Sequence, residues 1–570
     1  MRRRTYSSLA AQKEQALNGS EMSPKGAGKE PVKRSSQART IGIASAIWGI
    51  SIFLSRILGL VREQIIGRTL GASRQADLYF ASFTLPDFLN YLLAAGALSI
   101  VFIPIFVKYL EAGDTRRGWE AFSVIANFIV VVGSLGIALM MVFARPLATL
   151  VAPGFTEAAE VDELVRLMRI ILPAQFFHIL GGLLSAALMA QDRHALPALA
   201  PLIYSACIIL GGLVGAYHPE LGAEGFAWGV LAGSILGPFA LPLFGCLKTH
   251  MRWHARLSLR SPDLHRYLLL SLPIMIGFSI VVVDEWIIKN QASFLAPGAL
   301  AQLQYGRTLM RVPIGIFGMA LGVASYPTIS RLVAGGDVAE AYGVLSRAIR
   351  LMLVAILAAG VCLTVAGYEA VYLIWGMFGS RFTAADALET SQILALLTIG
   401  IGGWAAQSVI SRGFYALGST WLPTLVGTTV TVAMIPVYVV LRERFGAEGL
   451  AVASSTAILA YVFLLGWLQR RRFEKEAAAR GTSLSAAPGM LSGVWRLSLA
   501  AVVAIGAGLA LRMGLVAILP GNGVVAILVR GAVLCLAGIG VYVAAAWALG
   551  ITELREVAQK IGRALRGRRS

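Results

Sequence analysis

Apolar residues in this chain come in runs of roughly twenty or more, separated by short charged loops. A run of that length crosses about 30 Å of hydrocarbon as a helix, and in lipid only helices and closed barrels satisfy every backbone polar group. A barrel would show alternating segments of about ten residues. That alternation is absent, so the chain is expected to be an all-α polytopic membrane protein. With 57% of its 570 residues hydrophobic and 14% charged, it has too little charge to cover a soluble domain.

The pattern reads as about fourteen spans, near 41–70, 78–110, 120–151, 163–190, 197–217, 224–247, 267–295, 302–332, 343–374, 385–415, 421–441, 447–468, 491–518 and 523–549. Basic loops carry Lys108/Arg116/Arg117, Lys248/Arg252/Arg256/Arg260/Arg266, Arg331/Arg347/Arg350 and Arg470/Arg471/Arg472/Lys475, each an even number of spans from the next. The loops between are acidic or short, as at Glu157/Glu160/Asp162/Glu163. Positive residues stay inside, so both termini are expected in the cytoplasm. The net charge of +19 is a topology signal on this reading, and no nucleic-acid partner is expected. Cys207, Cys246, Cys362 and Cys535 lie scattered in apolar stretches as packing residues, with no disulfide framework or metal motif.

The expected organisation is a disordered basic cytoplasmic tail over 1–40, six helices over 41–248 and six more over 249–472. A cytoplasmic linker over 473–490, two further helices over 491–550 and a basic tail over 551–570 complete it. The first forty residues lack the apolar core of a signal peptide.

The chain also repeats itself. FIPIFVKYLEAGD, ending at Asp114, matches SYPTISRLVAGGD, ending at Asp337, and GAEGFA at 222–227 matches GAEGLA at 446–451. Phe155–Thr156 echoes Phe382–Thr383. The offsets of about 223–227 residues span six helices, an even number, so the two copies point the same way. Parallel repeats imply two six-helix lobes about an axis along the membrane normal, with a cavity between them that can open to either side.

A charge at bilayer depth costs about 2.5–3.5 kcal/mol on insertion scales, so it usually faces a cavity or a partner. Arg56 lies midway along the first span, followed by Arg62 and Glu63. Arg56 and Glu63, seven apart, share a helix face and are placed to pair, while Arg62 and Arg68 are placed to snorkel. Arg307 and Arg311 are four apart in the eighth span with no acid within a turn, a couple suited to an anionic ligand unless each is paired with an acid of another helix. In the seventh span Glu285 and Lys289 form an i,i+4 pair, which leaves Asp284 as a cation or proton site. Asp77, three residues after Arg74, is placed to cap the next helix. Pro86, Pro104, Pro173, Pro273, Pro313 and Pro327 favour kinked spans. The six histidines are scattered, and no P-loop, zinc motif or aspartate-rich prenyl-transfer motif occurs. A single-chain ATP-driven pump is excluded, and the plan is that of a transporter rather than an enzyme.

The run from Ser55 to Phe106, beginning SRILGLVREQIIGRTLGASRQADLYF, resembles the opening of the MurJ/MviN lipid II flippases, within the multidrug/oligosaccharidyl-lipid/polysaccharide exporter superfamily. APGF at 152–155, QYGRTLMRVPIGIFGMALG and SRGFYALGSTWLP at 411–423 follow in the family's order. The resemblance covers about residues 41–470. It implies fourteen helices, a cationic cavity between two lobes, a lipid-tail groove on the last two helices, and a place in the bacterial inner membrane. It also implies a lipid-linked glycan as substrate, membrane lipids as partners, and contact with cell-wall synthesis proteins.

By position Arg56, Arg62, Asp77 and Arg307 match charged residues of that cavity, and Arg311 lies one turn beyond. Asp284 and Glu285 fall in the region where some members couple to an ion. No cofactor is implied beyond a sodium or proton gradient or the membrane potential. The chain departs from the family pattern at Thr84, Asn90, Tyr91 and Ala95, where charges are usual. Three other readings stand beside lipid II transport: carriage of another lipid-linked glycan, cation-coupled drug export, and an inactive assembly scaffold.

Overall fold

In a computed structural model, residues 54–94, 101–218, 220–255, 257–276, 280–377, 381–484, 490–551 and 553 are described. Among them there are helices and no strand. The expected tail over 1–40, the start of the first span and the tail beyond 553 lie outside the described residues.

The helical pieces fall into fourteen segments. The first six are α1 (54–70), α2 (Arg74–Ser82, Thr84–Ala94 and Ile103–Glu111), α3 (Thr115–Val142 and Ala144–Val151), α4 (Ala158–Met189), α5 (Ala195–Tyr217) and α6 (Ala223–Lys248). The next four are α7 (Pro262–Ile276 and Ile280–Ala292), α8 (Ala299–Pro313 through Met319–Gly335), α9 (Val338–Val365 through Tyr372–Gly376) and α10 (Ala384–Thr398 and Ile401–Ala416). A 59-residue helix, Trp421–Ala479, is split at Gly446 into α11 and α12. A hairpin of α13 (Met490–Ile518) and α14 (Val524–Ala548) follows. Because α12 continues to Ala479, the expected linker over 473–490 is helical in its first part.

Among the described residues, eight helices are individually long and apolar enough to span a bilayer, and the α10 pair, bent by 42°, makes a ninth. The segments α2 and α8 are interrupted within the described residues, at Phe83 and at Ile314–Gly318, which is why their pieces fall short as single helices. The interruptions follow local chemistry. The helix of α8 widens to a π turn over Ile314–Gly318 directly after Pro313, and α6 does so over Ile235–Ala240, around Pro238. Proline there removes a helix hydrogen bond and crowds the preceding turn. Large apolar side chains point outward along the spans, with Val142, Leu536 and Met513 each more than 70% exposed. Such a surface belongs in lipid.

The duplication is visible in the backbone. Gly222 opens GAEGFA at φ 43°, ψ −117°, and Gly446 opens GAEGLA at φ 57°, ψ −131°. Both copies thus turn with the same positive-φ glycine, a conformation a Cβ would strain. Tight packing inside the first copy also rests on small residues. A Cβ on Gly225 would lie 2.5 Å from Gly211 O, and one on Gly229 would lie 2.7 Å from Cys207 O. With Gly225 and Gly229 one turn apart, the α5 and α6 backbones approach as small-residue membrane interfaces do.

We call the end where odd-numbered helices turn into even-numbered ones the top. At the bottom the α6–α7 connector lies along α3. Ser123 Oγ donates to Arg252 O at 3.3 Å, Asn127 Nδ2 donates to His254 O at 2.7 Å, and Tyr109 Oη donates to Asp263 at 3.0 Å. The α13–α14 hairpin packs on α9. There Glu369 is buried between Arg530 at 3.5 Å and Arg512 at 4.0 Å, and Arg350 pairs with Glu553.

Candidate functional site

The two halves meet at the top through α2 and α8, which occupy corresponding places in the repeat. Asp77, 1% exposed, does not cap its own helix; Ser73 does, accepting from Ala76 N. The Asp77 carboxylate crosses to the other half instead. Its Oδ2 accepts from Gly298 N at 2.7 Å and its Oδ1 from Ala301 N at 2.8 Å. These are the free amides at the start of α8, where a carboxylate is favoured by both hydrogen bonding and the helix dipole. Tyr305 Oη donates to Gly71 O at 2.9 Å, Trp375 Nε1 to Glu63 O at 3.0 Å, and Gly154 N to Ser293 Oγ at 3.0 Å. The top is therefore closed by contacts between the halves.

Below this closure lies a cavity of about 160 Å³ lined by Arg62, Glu63, Tyr79, Asp87, Tyr204, Glu285, Lys289 and Gln304, among others. Both halves contribute. Its charges are compensated, two cations facing three carboxylates, where the resemblance implies a cationic cavity.

The expected pairings are revised. Arg56 does not reach Glu63. Residues seven apart are two turns and about 10 Å apart along a helix, and Glu63 is taken by its neighbour Arg62 at 2.9 Å. Arg56 is exposed, with its guanidinium beside Gly315 of α8. The arginine couple is not unpaired either. Arg307, 2% exposed, pairs with Asp284 and donates to Ser454 Oγ at 3.1 Å, while Arg311 pairs with Glu285 at 2.6 Å. The partners come from α7, so spacing within α8 could not reveal them. Asp284 is consequently not left over as a free carboxylate. Arg307, Tyr438 Oη and Ser454 Oγ all donate to it, and the Arg307 guanidinium lies 5.9 Å from the Trp404 ring centre. Glu285 does meet Lys289, at 3.5 Å, but it is shared with Arg311, and Lys289 is shared with Asp87 at 3.6 Å.

Sequence reasoning thus missed Asp87, Tyr438, Ser454 and Gln304 and saw Lys289 only as a self-cancelling partner. Asp87 carried a signal, an acid well inside an apolar span; the hydroxyls of Tyr438 and Ser454 carried none.

A family model described as lipid II flippase MurJ matches residues 66–534. The chain belongs to the MurJ family. It is 28% identical over 428 residues to the probable lipid II flippase MurJ of Rhizobium tropici, which covers 73% of this chain and 76% of that one. To the corresponding Thermotoga maritima protein it is 29% identical over 430 residues, 75% of this chain and 85% of that one. Among solved structures, a lipid II flippase MurJ in an inward closed conformation superposes with a TM-score of 0.69 at 22% identity, covering 88% of this chain and 98% of that one. An inward-facing multidrug resistance MATE transporter of the MOP superfamily gives 0.63 at 13% identity, covering 74% and 95%. At those identities the last two speak for the fold. The MurJ-family chain is a multi-pass membrane protein with the architecture of a transporter.

Proposed function

We propose that this MurJ-family chain flips lipid II, carrying the undecaprenyl-diphosphate-linked peptidoglycan precursor from the inner to the outer leaflet of the bacterial cytoplasmic membrane. No bond is made or broken. The observation that carries the reading is a charged cavity lined by both halves of a duplicated fold in a chain of this family. Both termini then face the cytoplasm, the top faces outward, and Arg62 is the first-half cation for the anionic headgroup. Arg56 and Arg311 flank that route, while Asp77 and Arg307 hold its walls. The α13–α14 hairpin offers a groove for the lipid tail, and cell-wall synthesis proteins are the natural recipients of the product. The drive is an ion gradient or the membrane potential; the carboxylates first suited to coupling, Asp284 and Glu285, are both held by arginines.

The test is complementation of a bacterium depleted of its own lipid II flippase. Growth and normal shape are expected with the wild-type chain, and lysis with Arg62→Ala at equal membrane abundance. A second reading, carriage of another lipid-linked glycan, draws on Thr84, Asn90 and Tyr91, neutral where the family usually has charges. Failure of the well-expressed wild-type chain to rescue favours it.

A further inference from the structure

Of the two cations that line the cavity, Lys289 is the more deeply buried. Its side chain is 5% exposed, yet its nearest carboxylate oxygens, on Glu285 and Asp87, lie at 3.5 and 3.6 Å. Close charge-assisted hydrogen bonds run at about 2.7–2.9 Å, so this ammonium is neutralised without being tightly held. Arg307 contrasts with it, engaged by Asp284 and Ser454 and backed by Trp404. Lys289 also lines the cavity, as does Arg62 of the first half. At about 30 Å³ per water, that cavity has room for roughly five waters, the scale of a small anionic group rather than a glycan.

The two carboxylates on Lys289 differ in what their release would cost. Glu285 keeps Arg311 at 2.6 Å whether or not Lys289 stays. Asp87, on α2 of the first half, has a side chain 47% exposed. That exposure is toward the cavity it lines, so a carboxylate leaving Lys289 can be taken up by water there rather than by packed protein. Asp284 cannot leave Arg307 in that way, because both are buried and the abandoned charge would stay unpaired. Of the acids that contact intramembrane cations here, Asp87 is the one an incoming anion can displace.

Resting on the flippase reading, we propose that Lys289 is the second-half contact for the diphosphate of the lipid carrier and that Asp87 is its displaceable counter-ion. The diphosphate presents more charge and more acceptor oxygens than a carboxylate, and it replaces Asp87 on Lys289 while also meeting Arg62. The direct tie between α2 and α7 is exchanged for one that runs through the substrate. Asp87 thereby screens the empty cavity from smaller anions and gives way to the one with enough charge.

The test uses the full chain in nanodiscs of uncharged phosphatidylcholine, with undecaprenyl diphosphate as the probe and intrinsic tryptophan fluorescence as the readout. Lys289→Gln is expected to weaken binding about tenfold or more, and Lys289→Arg to restore most of it, since the loss is of a charged contact. Asp87→Asn is expected to tighten binding about two- to fivefold, the factor a partly exposed ion pair is worth. It keeps the shape of the side chain, so it reports even where Lys289→Gln fails to fold. Unchanged or weaker binding by Asp87→Asn overturns the counter-ion role. Wild-type affinity in Lys289→Gln overturns the contact. Binding by the wild type with either result leaves lipid II transport standing, whereas no binding by the wild type overturns both readings.

Discussion

Removing the Asp77 carboxylate tests whether the top of the molecule is held shut by a side chain of one half bonded to the backbone of the other. In Asp77→Ala the amides of Gly298 and Ala301 lose acceptors now at 2.7 and 2.8 Å. Each hydrogen bond to a charged group contributes about 1.5–3 kcal/mol, and a negative charge at a helix start adds up to about 1 kcal/mol. Water reaching the amides in the opened state recovers part of this, leaving roughly 3 kcal/mol lost from the closed state alone. At about 1.4 kcal/mol per tenfold, the closed-to-open ratio falls by roughly a hundredfold. A chain closed in about 99% of molecules would then be about half open.

Asp77→Asn keeps one acceptor and loses the charge, so it should fall between. Spin labels at Glu220 and Glu443, exposed at the tops of the two halves, would report the change by pulsed electron resonance once the four native cysteines are replaced. The expected result is a longer distance in Asp77→Ala, an intermediate mixture in Asp77→Asn, and similar unfolding temperatures in both. An Asp77→Ala distribution identical to that of the unsubstituted chain, with the fold intact, would refute the reasoning.

Two further substitutions address the walls of the site. Arg307→Ala should lower stability by about 3–5 kcal/mol because Asp284 is left buried and unpaired, and adding Asp284→Asn should recover part of the loss. Thermal unfolding of the two single variants and the double variant in detergent measures the coupling, and strict additivity would show that the pair does not act as one. Gly229→Leu should leave little folded protein, since even a Cβ there would sit 2.7 Å from Cys207 O. Gel filtration of a fluorescent fusion reads this, and a monodisperse variant at wild-type yield would contradict the close approach of α5 and α6.

Much of the fold was legible because membrane insertion writes it into the chain as apolar length and loop charge. The duplication was legible too, since Gly222 and Gly446 must each be glycine to make the same turn. The pairings inside the site were not. Arg307 and Asp284 are 23 residues apart on different helices, and Asp77 binds amides 221 and 224 residues away. A helical period says which residues share a face, not which helix that face meets. Where an expectation was confined to one helix, as with the Arg56–Glu63 pair or with Asp77 as the cap of its own helix, a nearer or more distant group took the place instead. Asp77 shows this most plainly. Its local companion Arg74 is present at 3.6 Å, yet the shorter contacts go to α8.

Helix α7 is shared property. By chain order it opens the second half, and its outer portion packs along the α11–α12 helix. Both of its ends, however, are moored to the first half: Asp263 to Tyr109 at the bottom, and Asn290 and Ser293 to Val151 and Gly154 at the top. Two six-helix blocks rocking as rigid halves would have to tear one set of moorings or slide along the other. A beam pinned at both ends and loaded in the middle bends. The interchange between states is therefore expected to register as flexure of α7, and a label partway along it should move relative to both of its own ends.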